Sequence, residues 1–259
     1  MTMKRSWLAL LLCLGMPAIM LGGCAGKHED PAQVAKRAEI HFQLGVDAIN
    51  RGNLPKAFDE LLTAEKLDPK RADIQAMLGY AWMLRGDMDK AETWFKRAVR
   101  HHPDSSIWTN YGVLMLRMKK PKRAEEYFRK ALDDPRYAHP DIAYIDLGDA
   151  LLMQGRFNEA IAAYRQARAI NPLQEFSRLK EADAYLRYDR PAYARALYET
   201  ILRDKPGYRP ALEALIALLR KEGDMAEVRA RLEEFKKRTS NPLDKAWASD
   251  ELRKLDEAK

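Results

Sequence analysis

The sequence predicts an all-α protein in which pairs of antiparallel helices repeat and stack into a right-handed superhelix. Small residues recur along the 259-residue chain at separations of 34, 33, 36 and 34 positions: Gly45, Gly79, Gly112, Gly148 and Ala182. A fixed period of this length is typical of a repeat array rather than of a single globular core. The composition agrees, because 47% hydrophobic and 32% charged residues describe a folded, helix-rich chain.

Three further columns of residues share this period. An alanine lies twelve positions after each small residue: Ala57, Ala91, Ala124, Ala160 and Ala194. A bulky residue lies four positions beyond each alanine: Leu61, Phe95, Phe128, Tyr164 and Tyr198. A proline closes four of the units at one shared offset, where it stops the second helix: Pro69, Pro103, Pro172 and Pro206. This pattern resembles the tetratricopeptide repeat, a helix-turn-helix unit.

The recurring columns predict about six units. The units are expected to stack, because one unit cannot bury its apolar face alone. Their expected bounds are 38–71, 72–104, 105–140, 141–174, 175–208 and 209–242. The small residue lets two backbones approach, and the bulky residue is expected to fill the space between neighbouring units. The sixth unit is degenerate, since Ile216 replaces its small residue and Val228 its first alanine. Residues 243–259, which include Trp247, are expected to form a helix that caps the open end.

The first 24 residues resemble the export signal of a bacterial lipoprotein. Lys4 and Arg5 precede an apolar run that ends in Leu21-Gly22-Gly23-Cys24, and this ending resembles a lipobox. The resemblance implies that residues 1–23 are removed, that Cys24 carries a diacylglycerol, and that residues 24–37 form a short tether. A membrane-spanning helix is disfavoured, because an apolar run of about 15 residues is shorter than the ~20 that a span needs.

Charge and motifs exclude several classes of function. Without Lys4 and Arg5 the chain has 43 basic and 38 acidic side chains, a mild excess that makes no case for nucleic acid binding. The sequence has no nucleophile elbow, no phosphate-binding glycine loop and no cysteine or histidine pair at metal-ligand spacing. We therefore predict no catalytic residues, no metal and no cofactor, and a protein that is not an enzyme.

The third unit narrows the resemblance to one family. It contains Asn110-Tyr111-Gly112 in its first helix, then Tyr127-Phe128-Arg129-Lys130-Ala131-Leu132, then the long connection Pro135-Arg136-Tyr137-Ala138-His139-Pro140. These segments resemble the type IV pilus biogenesis lipoproteins of the pilotin family (PilF/PilW/Tgl type). The resemblance implies an outer-membrane lipoprotein on the periplasmic face. It further implies binding to the type IV pilus secretin, the pore through which the pilus emerges, and a role in secretin localisation and multimer assembly. We expect a monomer bound to secretin subunits.

The partner is expected to bind the first helices, which line the concave wall in this repeat class. The candidate residues are apolar: Phe42, Val46, Ile49, Tyr80, Met83, Leu84, Val113 and Leu116. An apolar wall suits a helix or an extended segment that lies along it. The alternative reading is that several of these side chains only pack between units.

Two other functions remain open from the sequence. One is a repeat lipoprotein of the outer-membrane protein insertion machinery, and the other is an adaptor for a periplasmic peptidase or cell-wall hydrolase. All three are scaffold roles.

The lipid anchor gives the first testable prediction. Each buried CH₂ of an acyl chain contributes ~0.8 kcal/mol, so two or three chains hold a protein firmly. We expect Cys24→Ala to release the protein from the outer membrane and heat-resistant secretin multimers to fall while monomers accumulate. Membrane fractionation and immunoblotting measure both effects. Retention of the variant in the outer membrane of a strain without the secretin would contradict the anchor.

Overall fold

The fold is a solenoid of stacked helix pairs, which confirms the predicted all-α class. The computed structural model describes residues 30–101 and 103–257, and across these residues it contains thirteen α-helices and no strands. They are α1 (Pro31–Asn50), α2 (Leu54–Leu67), α3 (Ala72–Arg85), α4 (Met88–Ala98), α5 (Ser105–Arg117), α6 (Pro121–Leu132), α7 (Pro140–Met153), α8 (Phe157–Ile170), α9 (Glu175–Arg187), α10 (Pro191–Asp204), α11 (Arg209–Glu222), α12 (Met225–Arg238) and α13 (Pro242–Glu257). The predicted signal peptide and Cys24 lie outside the described residues.

Capping side chains and tight turns set the ends of the helices. Asn53 accepts a hydrogen bond from the backbone N–H of Lys56 at 3.2 Å, and Asp87 accepts one from Lys90 at 3.1 Å. Such caps satisfy backbone donors that the first turn of a helix leaves unpaired. The turn inside each unit also needs one residue with positive φ, seven positions after the small residue. Gly86 fills this place at φ 90°, whereas Lys119 adopts φ 57° there without glycine's freedom.

The closest approach inside each unit is between the small residue of its first helix and the bulky residue of its second. A Cβ added to Gly79 would lie 2.8 Å from the Phe95 ring, and one added to Gly148 would lie 2.4 Å from the Tyr164 ring. Both distances are too short for a carbon contact. The bulky residue therefore packs first on its own unit. Phe95 also reaches the next unit, since its ring centroid lies 5.4 Å from that of Tyr111.

The apolar core follows the stack as three clusters of buried residues. One joins units one and two, a large central cluster runs from unit two to the start of unit five, and the third joins units five and six to the last helix. In α13, Trp247 meets Phe235 edge to face at 5.9 Å, while Leu252 and Leu255 pack against the third cluster. This helix covers the apolar end of the array.

Helix α1 begins earlier in the chain than the sequence predicts. Helix α1 begins at Pro31, so the last seven residues of the expected tether 24–37 are helical. Asp30 caps this helix by accepting a hydrogen bond from the backbone N–H of Ala32 at 3.0 Å, and Pro31 fits the first helical position. The repeat pattern begins later in the sequence, which concealed these extra two turns.

The helix crossing of unit two gives a test of the register. We expect Gly79→Leu to destabilise the protein by ~1 to 3 kcal/mol, because overpacking a close contact displaces the buried Phe95 ring. Gly207→Leu is the matched control, since a Cβ at Gly207 meets no atom within 4 Å. Thermal unfolding followed by circular dichroism would show a lower Tm for the first variant only. Equal melting temperatures for both variants and the parent would contradict the crossing.

Candidate functional site

The first helices of units one to three carry the candidate binding wall that the sequence predicts. In unit one, Phe42, Val46 and Ile49 are half-buried, and Phe42 and Ile49 pack against the first cluster. The Arg71 guanidinium lies 4.8 Å from the centroid of the Phe42 ring. A cation over a ring is attracted to its face, so this contact helps to hold the half-buried Phe42 ring in place.

In unit two, Tyr80 and Leu84 share one face of α3, and Leu84 is 39% exposed. Tyr80 is half-buried. The prediction is wrong for the accessibility of Met83, which is only 1% exposed and belongs to the central cluster. Its position, one residue before Leu84, turns it about a quarter of the helix circumference away from Leu84 and towards the neighbouring helices. Met83 therefore contributes to packing rather than to a partner surface.

In unit three, Val113 and Leu116 are half-buried against the central cluster. The adjacent motif Asn110-Tyr111-Gly112 is mainly structural. Tyr111 is 1% exposed and stacks between Phe95 and Tyr127, with centroid distances of 5.4 and 4.3 Å. The long connection returns to the same helix, where the Tyr137 and Thr109 hydroxyl groups lie 3.0 Å apart. The Asn110-Tyr111-Gly112 motif and the long connection therefore organise the core of this unit.

Units four and five change the chemistry of the wall. The position after the small residue is Asp149 or Asp183 there, instead of an apolar residue. Each carboxylate accepts a 2.6 Å hydrogen bond from the buried tyrosine of its own unit, Asp149 from Tyr164 and Asp183 from Tyr198. Burial and these carboxylates raise the pKa of both tyrosines, and burial raises the pKa of Asp183. The acidic residues therefore have a structural role.

The surroundings of Asp146, on the first helix of unit four, favour the protonated form of its side chain. Burial and the neighbouring Asp149 raise its pKa while Lys180 lowers it, and the net result is a pKa of about 7. Lys180 is committed to Asp149, with the Nζ atom 2.9 Å from the Asp149 Oδ2 atom. Asp146 therefore exchanges its proton close to neutral pH.

Sequence reasoning missed two apolar side chains of the same first helices. Ile142 and Phe176 are each 44% exposed and lie six positions before the small residues of units four and five. Both are bulky apolar residues at the same position of the repeat. That position is polar in the first three units, so the pattern of those units does not indicate it. Among the residues that the structure describes, no group of three or more histidine, cysteine or acidic side chains could hold a metal ion. In that same part of the chain, the helices are all too short or too polar to cross a membrane.

The helix pairs and their crossings define the class of protein. Sequence profiles of the tetratricopeptide repeat match residues 42–106 and 105–172. The chain is a tetratricopeptide-repeat protein, and repeats of this class mediate contacts between proteins. The matched proteins are scaffolds and adaptors.

Particular relatives come from the machinery of type IV pili. The type IV pilus assembly protein PilF of Pseudomonas aeruginosa is 22% identical over 196 residues, which cover 75% of this chain and 78% of PilF. A PilF structure superposes with a TM-score of 0.68 at 19% identity, covering 88% of this chain and all of PilF. PilW, a widely conserved type IV pilus biogenesis factor, gives a TM-score of 0.71 at 22% identity over 78% of this chain and 93% of PilW.

Other relatives match this chain over a smaller part of their own length. The BBSome complex member BBS4 of Bos taurus is 31% identical over 152 residues, and the chain spans only 28% of that protein. At identities as low as those to PilF and PilW, the superpositions establish the fold alone.

The raised pKa of Asp146 predicts how stability depends on pH. An unfolded aspartate ionises near pH ~4, whereas the folded Asp146 holds its proton to about 7, so stability falls as the pH rises between these values. Asp146→Asn removes this loss. We expect the variant to gain stability over the parent from pH 5 to pH 8, by ~1.4 kcal/mol for each unit of pKa difference.

Urea unfolding at several pH values measures this gain. Asp133→Asn, in the exposed connection of unit three, is the matched control and should follow the parent. A constant difference between Asp146→Asn and the parent across this pH range would contradict the prediction.

Proposed function

We propose that the protein is a lipoprotein of type IV pilus biogenesis. It is anchored through Cys24 in the outer membrane, on the periplasmic face, where it binds the type IV pilus secretin and promotes secretin localisation and multimer assembly. The observation that carries the proposal is the extent of the similarity to PilF, which runs through 75% of the chain instead of one or two repeat units. The lipobox-like Leu21-Gly22-Gly23-Cys24 supports the anchor.

The binding surface in this proposal is the first-helix wall, defined as Phe42, Val46, Ile49, Tyr80, Leu84, Val113 and Leu116. These side chains are half-buried or exposed, so each has a fixed base in the core and an accessible part. Such a wall can accept apolar side chains of a partner at little entropic cost, because its own side chains are already held in place. A secretin segment laid along it would be bound as a helix or an extended strand by successive apolar anchors.

Charge placed on the wall should abolish this binding. We expect Tyr80→Glu with Leu84→Glu to reduce recovery of the secretin at least tenfold, because each carboxylate would lose water on contact with an apolar partner. Binding is measured by affinity purification of the protein from detergent-solubilised membranes, followed by quantitative immunoblotting of the secretin. Twitching motility of the complemented deletion strain gives the physiological readout.

The control places the same substitutions away from the wall. Leu62→Glu with Tyr193→Glu changes one leucine and one tyrosine on α2 and α10, and these side chains are 38% and 58% exposed. This control should fold, reach the outer membrane and recover the secretin at parental levels. If the wall variant keeps its Tm and its localisation and still recovers the secretin fully, the partner uses another surface.

A further inference from the structure

An apolar group projects from the connection between α8 and α9. Leu173 is 90% exposed, the highest value among the large hydrophobic residues that the structure describes. Ile170 and Phe176 flank it in sequence and are 45% and 44% exposed. The connection is held in place, because the Asn171 side chain donates a 3.1 Å hydrogen bond to Asp141 at the start of α7. Ile142, the next residue on α7, adds a fourth exposed apolar side chain at 44%.

A leucine with this exposure in a fixed connection calls for an apolar surface to cover it. Single exposed hydrophobic residues are normal, but four on one connection and on the helix ends beside it mark a contact with a protein or a membrane. The position of the group in the array distinguishes these two possibilities.

All first helices run in the same direction, so the connections between units lie at the edge where the first helices begin. We call this edge the connector edge; among the described residues it is formed by 68–71, 99–101, 103–104, 133–139, 171–174 and 205–208. Helix α1 also begins at this edge, at Pro31. Asp30 follows Cys24 by six positions, and a chain of that length spans at most ~22 Å. A lipid on Cys24 therefore keeps the connector edge of unit one close to the bilayer.

Cations without an ion pair also lie at or beside this edge. Lys66 and Lys70 lie beside the first connection, Arg100 lies in the second, and Lys236 and Lys237 lie at the end of α12. All five are exposed, and within the described residues none of them makes an ion pair. Carboxylates without an ion pair are present too, among them Asp68 and Asp133, so the positive excess is moderate. A moderate excess suits a bilayer in which anionic headgroups are a minority.

We propose that the connector edge is a membrane-contacting surface, with Leu173 inserted among the lipid headgroups and the unpaired cations beside anionic ones. The proposal rests on the lipid anchor of the proposed function only for bringing the edge to the bilayer in the cell, whereas the affinity of the edge for anionic lipid belongs to its own exposed side chains. It does not depend on the secretin. Contact at a second point would fix the orientation of the array on the membrane and so the direction in which the first-helix wall faces.

A fluorescent probe at position 173 tests the insertion directly. The chain from residue 25 to 259 retains every described helix and contains no cysteine, so Leu173→Cys provides one labelling site. The probe is the environment-sensitive fluorophore nitrobenzoxadiazole, and the vesicles contain phosphatidylethanolamine and phosphatidylglycerol at 3:1. We expect its emission to rise severalfold and shift to the blue when vesicles are added. Met225→Cys is the matched control, because Met225 is 44% exposed and begins α12 at the opposite edge.

Vesicle binding of unlabelled protein gives the second measurement. Burial of a leucine side chain corresponds to roughly a ten- to hundredfold change in partition. Because insertion at an interface is partial, we expect Leu173→Asp to lower the vesicle-bound partition coefficient about tenfold. Met225→Asp should leave it unchanged. Leu173 is 90% exposed, so the parental Tm should be retained in the Leu173 variant. Neutral phosphatidylcholine vesicles should bind the parent more weakly than the anionic ones.

Two outcomes would overturn the proposal. One is a probe at position 173 that does not respond to vesicles, and the other is an equal response from positions 173 and 225. Neither outcome bears on the secretin, because the vesicles contain no protein partner. Neither depends on lipidation, because the tested chain lacks Cys24.

Discussion

The structure depends on one contact, repeated in five units, between a small residue on the first helix and a bulky side chain on the second. Its tolerance is small, since a Cβ on Gly112 would lie 2.5 Å from the Phe128 ring. Close backbone approach and a filled crossing fix the angle within a unit, and the stack repeats that angle. This repeated geometry positions the accessible side chains of the first-helix wall. It also positions the connections at the connector edge.

The bulky residue at the crossing is of two chemical kinds. The change from an apolar residue to tyrosine makes the interior of units four and five more polar. Phenylalanine or leucine fills it in units one to three, whereas tyrosine fills it in units four and five and its hydroxyl needs an acceptor. Asp149 and Asp183 supply that acceptor. The junction between these units is correspondingly polar, because Glu181, only 2% exposed, pairs with Arg165 and Arg168 at 2.6 and 3.0 Å. Leaving one member of such a group unpaired costs more than the pair contributes, so we expect the loss of any one of these side chains to destabilise the junction.

The sequence predicts the parts of this structure that repeat. Period, crossing residues and turn positions are visible because six copies vary around one geometry, and Gly86 and Gly155 mark the same turn in different units. Structural features that occur only once are harder to predict from the sequence. Lys119 holds a positive φ without being a glycine, and the extra turns of α1 precede the first repeat. The burial of Met83 depends on how the helices pack. Its spacing of three residues from Tyr80 indicates only that the two side chains lie near one face of α3.

The residues that preserve the helix crossing of unit three and the residues that could select a partner are largely different. Tyr111, Gly112 and Phe128 of the discriminating segments are buried at the crossing and the aromatic stack of unit three, so they preserve shape. Tyr80, Leu84 and Leu173 lie outside those segments and are partly or largely exposed. A relative at 22% identity can therefore share the array while the sequence of the accessible surface changes. Under the proposed function, selectivity for a partner would lie on the first-helix wall, where a substitution alters an accessible side chain without disturbing the crossing that supports it.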